Sequence, residues 1–95
     1  MKQPCIYIMA SKRNGTLYNG VTSDLVTRVY AHRNAIVDGF TKKYKCKILV
    51  FYEQHETMEN AILREKQIKA GSRKKKLELI ESLNPNWNDL YEKII

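Results

Sequence analysis

Five side chains in this 95-residue chain combine types and spacings suited to work on a charged ligand: Tyr7, Tyr18, Arg28, His32 and Glu65. Tyr7 lies in the apolar run Cys5-Ile6-Tyr7-Ile8-Met9, and Tyr18 in Thr16-Leu17-Tyr18-Asn19-Gly20-Val21. Both runs are rich in β-branched and aromatic residues and read as strands. The intervening Lys12-Arg13-Asn14-Gly15 is a turn signal, since Asn and Gly tolerate positive φ. With that four-residue loop, Ser11 pairs with Thr16 and Tyr7 lies opposite Gly20. Tyr18 then becomes the diagonal neighbour of Tyr7 on the same face, ~7–8 Å away, so that two phenols can converge on one small group. Gly20, with no side chain, leaves room beside Tyr7 for a ligand. An odd-numbered loop would instead place the tyrosines on opposite faces.

Arg28 and His32 are four residues apart and share a helix face. Arginine's planar fork donates two hydrogen bonds to two phosphate oxygens. Glu65 is the single carboxylate among seven cations between Arg64 and Lys76. A lone carboxylate beside a polyanion-binding face can seat a hydrated divalent ion, since Mg²⁺ commonly takes one or two carboxylates and keeps several waters. Lys42, Lys43, Lys45 and Lys47, together with Arg73, Lys74, Lys75 and Lys76, could form a phosphate footprint. Each feature also has a purely structural reading. His32 falls in the stripe of Leu25, Val29 and Ile36 and could be a core histidine. Glu65 has Lys69 at i+4 as an ion-pair partner. A lysine run is commonly a solvated face, and Trp87 reads as an anchor on the core.

The elements that must position these residues follow from caps and periodicity. Thr22-Ser23-Asp24 supply N-cap candidates for a helix carrying Leu25, Val29, His32 and Ile36, which should end near Asp38-Gly39. Residues Lys42 to Lys45 read as a polar connection. Cys46 to Tyr52 is a continuous apolar run, read as a central strand buried on both faces. Thr57 can cap a second helix that ends at Gly71. Ser72 can cap a third, with Leu77, Ile80 and Leu83 as its buried stripe, ending before Asn84-Pro85. The tail from Trp87 to Tyr91 has apolar anchors to dock on the core. The expected order is β-β-α-β-α-α: an α+β fold in one domain, residues 1–95, with a small three-stranded antiparallel or mixed sheet covered by helices.

Composition narrows the function classes. The chain holds 17 Lys+Arg and 10 Asp+Glu, a formal net charge of +7, and its mean hydropathy is −0.51. No window approaches the ~20 apolar residues of a membrane-spanning helix, so a membrane partner is not expected. Plentiful Tyr, Ile and Leu and the absence of low-complexity tracts argue against disorder. Two cysteines, Cys5 and Cys46, make neither a disulfide framework nor, without a Cys/His cluster, a zinc site. Free thiols and no signal peptide point to a cytoplasmic protein. The charge points to a polyanionic partner.

Ile6-Tyr7, then Tyr18-Asn19-Gly20 eleven positions later, then Arg28, His32 and Glu65, resemble the GIY-YIG nuclease domain over essentially the whole chain. The set looks most similar to small stand-alone bacterial members. Cys5 stands where the family has its first Gly, and Asn19 where it has the middle Ile of the second triplet. The resemblance implies a divalent-metal-dependent endonuclease that hydrolyses DNA phosphodiesters in repair or recombination. Tyr7 or Tyr18 would help deprotonate a water, with His32 as an alternative acceptor or relay of the proton. Arg28 would hold the non-bridging oxygens, and Glu65 would bind one Mg²⁺ or Mn²⁺. A late asparagine belongs to the site in some members, and Asn84 is its candidate here. Gly20, Lys42, Lys43, Lys45, Arg73 and Lys74 are the remaining candidate substrate contacts. The alternative reading is a weakly catalytic nucleic-acid-binding module on the same scaffold, for DNA or RNA, recruited by a partner protein.

Overall fold

Strand β1, Cys5–Ala10, is the axis of the computed structural model, which describes residues 3–37 and 39–95. All six of its residues are buried, because the sheet order is β2-β1-β3 and both faces are covered. Strands β2, Leu17–Thr22, and β3, Ile48–Gln54, flank it, both antiparallel. The apolar run at 46–52 was expected to be the central strand, and it is an edge strand instead. An apolar run reports that both faces are covered, and says nothing about which edge carries a neighbour. The chain's C-terminal segment covers part of this edge: the Leu90 amide donates to the Leu49 carbonyl at 2.8 Å, and Asp89 Oδ1 accepts from the Leu49 amide at 3.2 Å.

The hairpin has the expected register: Tyr7 pairs with Gly20 and Met9 with Tyr18. Asn14 takes a positive φ of 57° in the turn, and the Ser11 amide donates to the Thr16 carbonyl at 3.0 Å. Alternate residues of β1 therefore feed two cores. Ile6, Ile8 and Ala10 pack with Ala61, Ile68, Ile80 and Trp87. Cys5, Tyr7 and Met9 pack with Leu25, Val29, Cys46 and Ile94.

Helix α1, Leu25–Arg33, starts at Asp24, whose carboxylate accepts from the Thr27 amide. It ends five residues earlier than its apolar spacing predicts, and Ile36 is 63% exposed. Ala35 adopts φ 54°, its amide donates to the His32 carbonyl, and the Ile36 amide reaches back to Ala31. These are the bonds of a Schellman stop, with alanine in the left-handed position that glycine usually fills. Of the expected stop at Asp38-Gly39, Asp38 lies outside the described residues, and Gly39, at φ 107°, caps a short helix instead. That helix, α2, is Phe40–Lys43, where a polar connection was expected.

Helices α3, Met58–Ala70, and α4, Arg73–Leu83, take Thr57 and Ser72 as N-caps, each accepting from the amide three residues on. In α4, Ile80 is buried and Leu77 partly so, but Leu83 is 74% exposed and not part of the stripe. Trp87 docks as expected, its indole N–H donating to Glu81 at 2.9 Å. A last short helix, α5, Tyr91–Ile94, places Ile94 in the core beneath β1.

Asn84, expected among the substrate contacts, belongs to this framework. It is 4% exposed, and its amide nitrogen donates to the carbonyls of Val50 and Asn88 while its oxygen accepts from the Asn88 amide. Both its N–H groups are thus committed, pinning the end of α4 to β3. Buried hydrogen bonds contribute about 1 kcal/mol each, and more when a partner is left unsatisfied. Asn84→Ala should therefore lower stability by about 2–4 kcal/mol in urea denaturation.

Candidate active site

The site forms where β1 and β2 meet α1. A Cβ at position 20 would lie 2.3 Å from Cζ and Oη of Tyr7. The Tyr7 ring therefore crosses directly over Gly20 toward the outer side of β2. Gly20 was expected to leave room for a ligand, but the space is taken by Tyr7 itself. The glycine acts through the tyrosine it lets pass.

The Tyr7 hydroxyl ends 2.9 Å from His32 Nε2, and His32 Nδ1 lies 2.9 Å from Thr41 Oγ1. Tyr7, His32 and Thr41 are all buried. Tyr18 stands alongside, its ring 6.3 Å from that of Tyr7 and 5.5 Å from that of His32. His32 thus lies on the buried stripe of α1, as its spacing predicts, and at the same time holds the Tyr7 hydroxyl. Its two readings, core residue and site residue, are one position.

Electrostatics tie in the remaining members. Burial pushes the Tyr7 phenol well above its ordinary range, and Tyr18 and Glu65 push in the same direction. The charge and hydrogen bonding of Arg28 oppose this rise. His32 is held below the usual imidazole value, first by burial and then by the Arg28 charge. Arg28 is exposed on α1 with its guanidinium within electrostatic reach of both rings. Four residues, Tyr18, Arg28, His32 and Glu65, therefore act on the one hydroxyl of Tyr7.

Glu65 approaches from α3, which packs against β2. Its Oε2 is buried and has no hydrogen-bond partner, so an ion pair with Lys69 does not account for this oxygen. A buried carboxylate oxygen left unpaired is costly, which fits a position completed by a cation or its waters. Among the described residues no group of three or more His, Cys, Asp or Glu is placed to hold a metal. A single carboxylate matches an ion that keeps most of its water, as Mg²⁺ does. Asn19 Oδ1, on the α3 side of β2, is likewise buried and unpartnered.

The basic candidates separate. Lys42, Lys43 and Lys45 are exposed on α2 and just after it, around Phe40 and Tyr44. The Phe40 ring is 6.0 Å from Tyr18 and 4.6 Å from Tyr44, so this basic segment borders the site. Lys74 is exposed on α4. Arg73 is used elsewhere: its guanidinium donates at 2.8 Å to the carbonyls of Asn14 and Gly15, fastening α4 to the hairpin turn. An open cleft of about 350 Å³ beside Tyr18 is lined by Leu17, Asn19, Phe40, Lys69 and Lys76. Thr41 and Phe40 escaped the sequence reading, while Lys76 entered it only within a basic run and Lys69 only as an ion-pair partner of Glu65. The lysines were visible as charge, whereas nothing local marks Thr41 as a partner of His32.

A three-stranded antiparallel sheet with paired tyrosines, a flanking arginine and histidine and a helical glutamate defines a class. The model of the GIY-YIG catalytic domain matches residues 3–78, and the chain belongs to that family. Its relatives include the UPF0213 protein of Staphylococcus saprophyticus, 39% identical over 80 residues that cover 84% of this chain and 96% of that one. A UPF0213 protein of Staphylococcus aureus is 37% identical over 76 residues, covering 80% and 92%. The solution NMR structure of a UPF0213 protein from Bacillus halodurans has the same fold, with TM-score 0.58 at 24% identity over 92% of each chain. Among the described residues no helix is long and apolar enough to cross a membrane.

Two predictions follow from the packing of Tyr7 and His32. Gly20→Ala forces the Tyr7 ring aside and should cost about 1–3 kcal/mol in chemical denaturation, as overpacking does. The unfolded chain protonates His32 near pH 6.5, about its ordinary value, while the folded form resists. Over that interval the unfolded state binds more protons, so stability rises with pH. Stability should therefore fall as pH is lowered from 7.5 to 5, with a shallower fall in His32→Gln. Parallel curves for the two proteins would remove the assignment.

Proposed function

We propose that this chain is a divalent-metal-dependent endonuclease that hydrolyses DNA phosphodiester bonds. The observation that carries this reading is the unpaired, buried oxygen of Glu65 within electrostatic reach of the Tyr7 hydroxyl, which His32 and Arg28 also address. Membership of the GIY-YIG family and the net charge of +7 support it. A setting in DNA repair or recombination is proposed on the family resemblance alone.

In this reading the phosphate sits against Arg28, whose fork holds the non-bridging oxygens as charge builds on them. A water beside the phosphate gives its proton to the Tyr7 oxygen while the Tyr7 proton passes to His32 Nε2. A phenol of raised pKa is a poor free base, and the 2.9 Å contact with a neutral imidazole supplies its outlet. Tyr18 closes the other side of the two rings and limits the water they admit. Glu65 would hold one Mg²⁺ or Mn²⁺, which when bound supplies Lewis-acid stabilisation to the leaving oxygen. Lys42, Lys43 and Lys45 would follow the backbone beyond the scissile bond.

A nicking assay on supercoiled and branched DNA with Mg²⁺ or Mn²⁺ tests the proposal. Arg28→Ala and Glu65→Ala should each lose roughly 10²-fold or more in cleavage rate while DNA affinity stays within about threefold. Each alanine at 42, 43 or 45 should lower the salt dependence of binding by roughly 0.9 in slope. Undiminished cleavage by Glu65→Ala would remove the metal assignment. Tight DNA binding without cleavage by the wild-type protein would favour the binding-module reading.

A further inference from the structure

We propose that Thr41 is a positioning residue that sets the tautomer of His32, keeping the proton on Nδ1 and Nε2 bare to take the proton of Tyr7. The inference rests on the nuclease reading for its consequence in catalysis, but the tautomer itself is a property of the free protein.

The geometry is a closed chain of three buried side chains. Tyr7 Oη, His32 Nε2 and Nδ1, and Thr41 Oγ1 are linked by two contacts of 2.9 Å. A neutral imidazole has one donor and one acceptor nitrogen, so a choice at one end fixes the other. Were Thr41 to donate to Nδ1, Nε2 would carry the proton, point it at Tyr7, and be unable to accept one. Were Thr41 to accept from Nδ1, Nε2 would be free to receive. Tyr7 and Thr41 fix the choice together, Tyr7 as donor to Nε2 and Thr41 as the acceptor that holds the Nδ1 proton. The Tyr7 hydroxyl is buried and stays protonated, and a phenol O–H facing a ring nitrogen at this distance is best satisfied as donor. The Tyr7 proton thus points to Nε2, the Nδ1 proton to Thr41. When the relay runs, one proton leaves water for Tyr7 and one leaves Tyr7 for Nε2. The resulting imidazolium still donates its Nδ1 proton to the same threonine oxygen. A partner that fixes tautomer and ring orientation is a recurrent feature of working histidines.

The surroundings show how Thr41 is held. It is the buried residue of four-residue α2, whose Phe40, Lys42 and Lys43 face outward. Its carbonyl accepts from the Cys46 amide at 2.9 Å, and Lys45 at φ 56° closes the helix behind it. The ring of Phe40 lies against that of Tyr18. The segment bearing the lysines is thereby joined to the proton acceptor through one hydroxyl.

The test begins with ring ¹⁵N–¹H correlation NMR of His32 in the wild-type protein, without DNA or metal. The expected result is the Nδ1-protonated tautomer. An Nε2-protonated ring would overturn the proposal, whatever any variant does. Thr41→Val keeps the shape and removes the acceptor. It should shift His32 toward the other tautomer and lower kcat by roughly 10–100-fold with KM for DNA unchanged. Thr41→Ser should keep both the tautomer and, within about threefold, the rate. Unchanged tautomer and kcat in Thr41→Val would also overturn the proposal. Should the valine variant not fold, the wild-type tautomer and the serine variant decide. A wild-type protein without nuclease activity would sink the nuclease reading and leave the tautomer measurement standing.

Discussion

Tyr7 can reach His32 only because residue 20 has no side chain. The phenol stands on the central strand, its partner on a helix, and the path between them crosses β2 at the point where Gly20 lies opposite Tyr7. The hairpin register is thus a condition for the chemistry. A slip of one residue between the two strands would put Tyr7 and Tyr18 on opposite faces of the sheet. The same register assigns alternate residues of β1 to two cores, so folding and site assembly depend on one alignment.

Around that alignment the fold spends polar groups on holding the pieces still. Asn84 pins α4 to β3, Arg73 fastens α4 to the hairpin turn, and Asp89 both caps the edge of β3 and pairs with Arg33. With these ties in place, α1 and α3 present Arg28, His32 and Glu65 to a common region from opposite sides of the sheet. The excess of positive charge stays at the surface, where it can meet a polyanion. Among the described residues the unpaired buried side-chain oxygens, on Glu65 and Asn19, lie where α3 packs on β2.

Much of this was legible in the residues. The Asn14-Gly15 turn implied the loop length and hence the Tyr7–Gly20 pairing, and Thr57, Ser72 and Gly71 marked helix ends by their cap chemistry. The errors have physical causes. Ala35 stops α1 in a conformation that carries no signal when alanine adopts it. Ile36 and Leu83 fit the helical period yet face solvent, because a period identifies a face and not whether anything covers it. Asn84, a site candidate through the family resemblance, makes three hydrogen bonds inside the framework, and no local pattern announces those partners.

Three strands, the hairpin register and the N-caps of α1, α3 and α4 could be read from the residues, since each rests on interactions within a few residues along the chain. The tertiary structure alone decided that β1 is central, that Gly20 makes way for Tyr7, and that Thr41 stands behind His32. Tyr7 and His32 are 25 residues apart and His32 and Thr41 nine. Such contacts depend on how sheet and helices pack in space, and no local spacing encodes that.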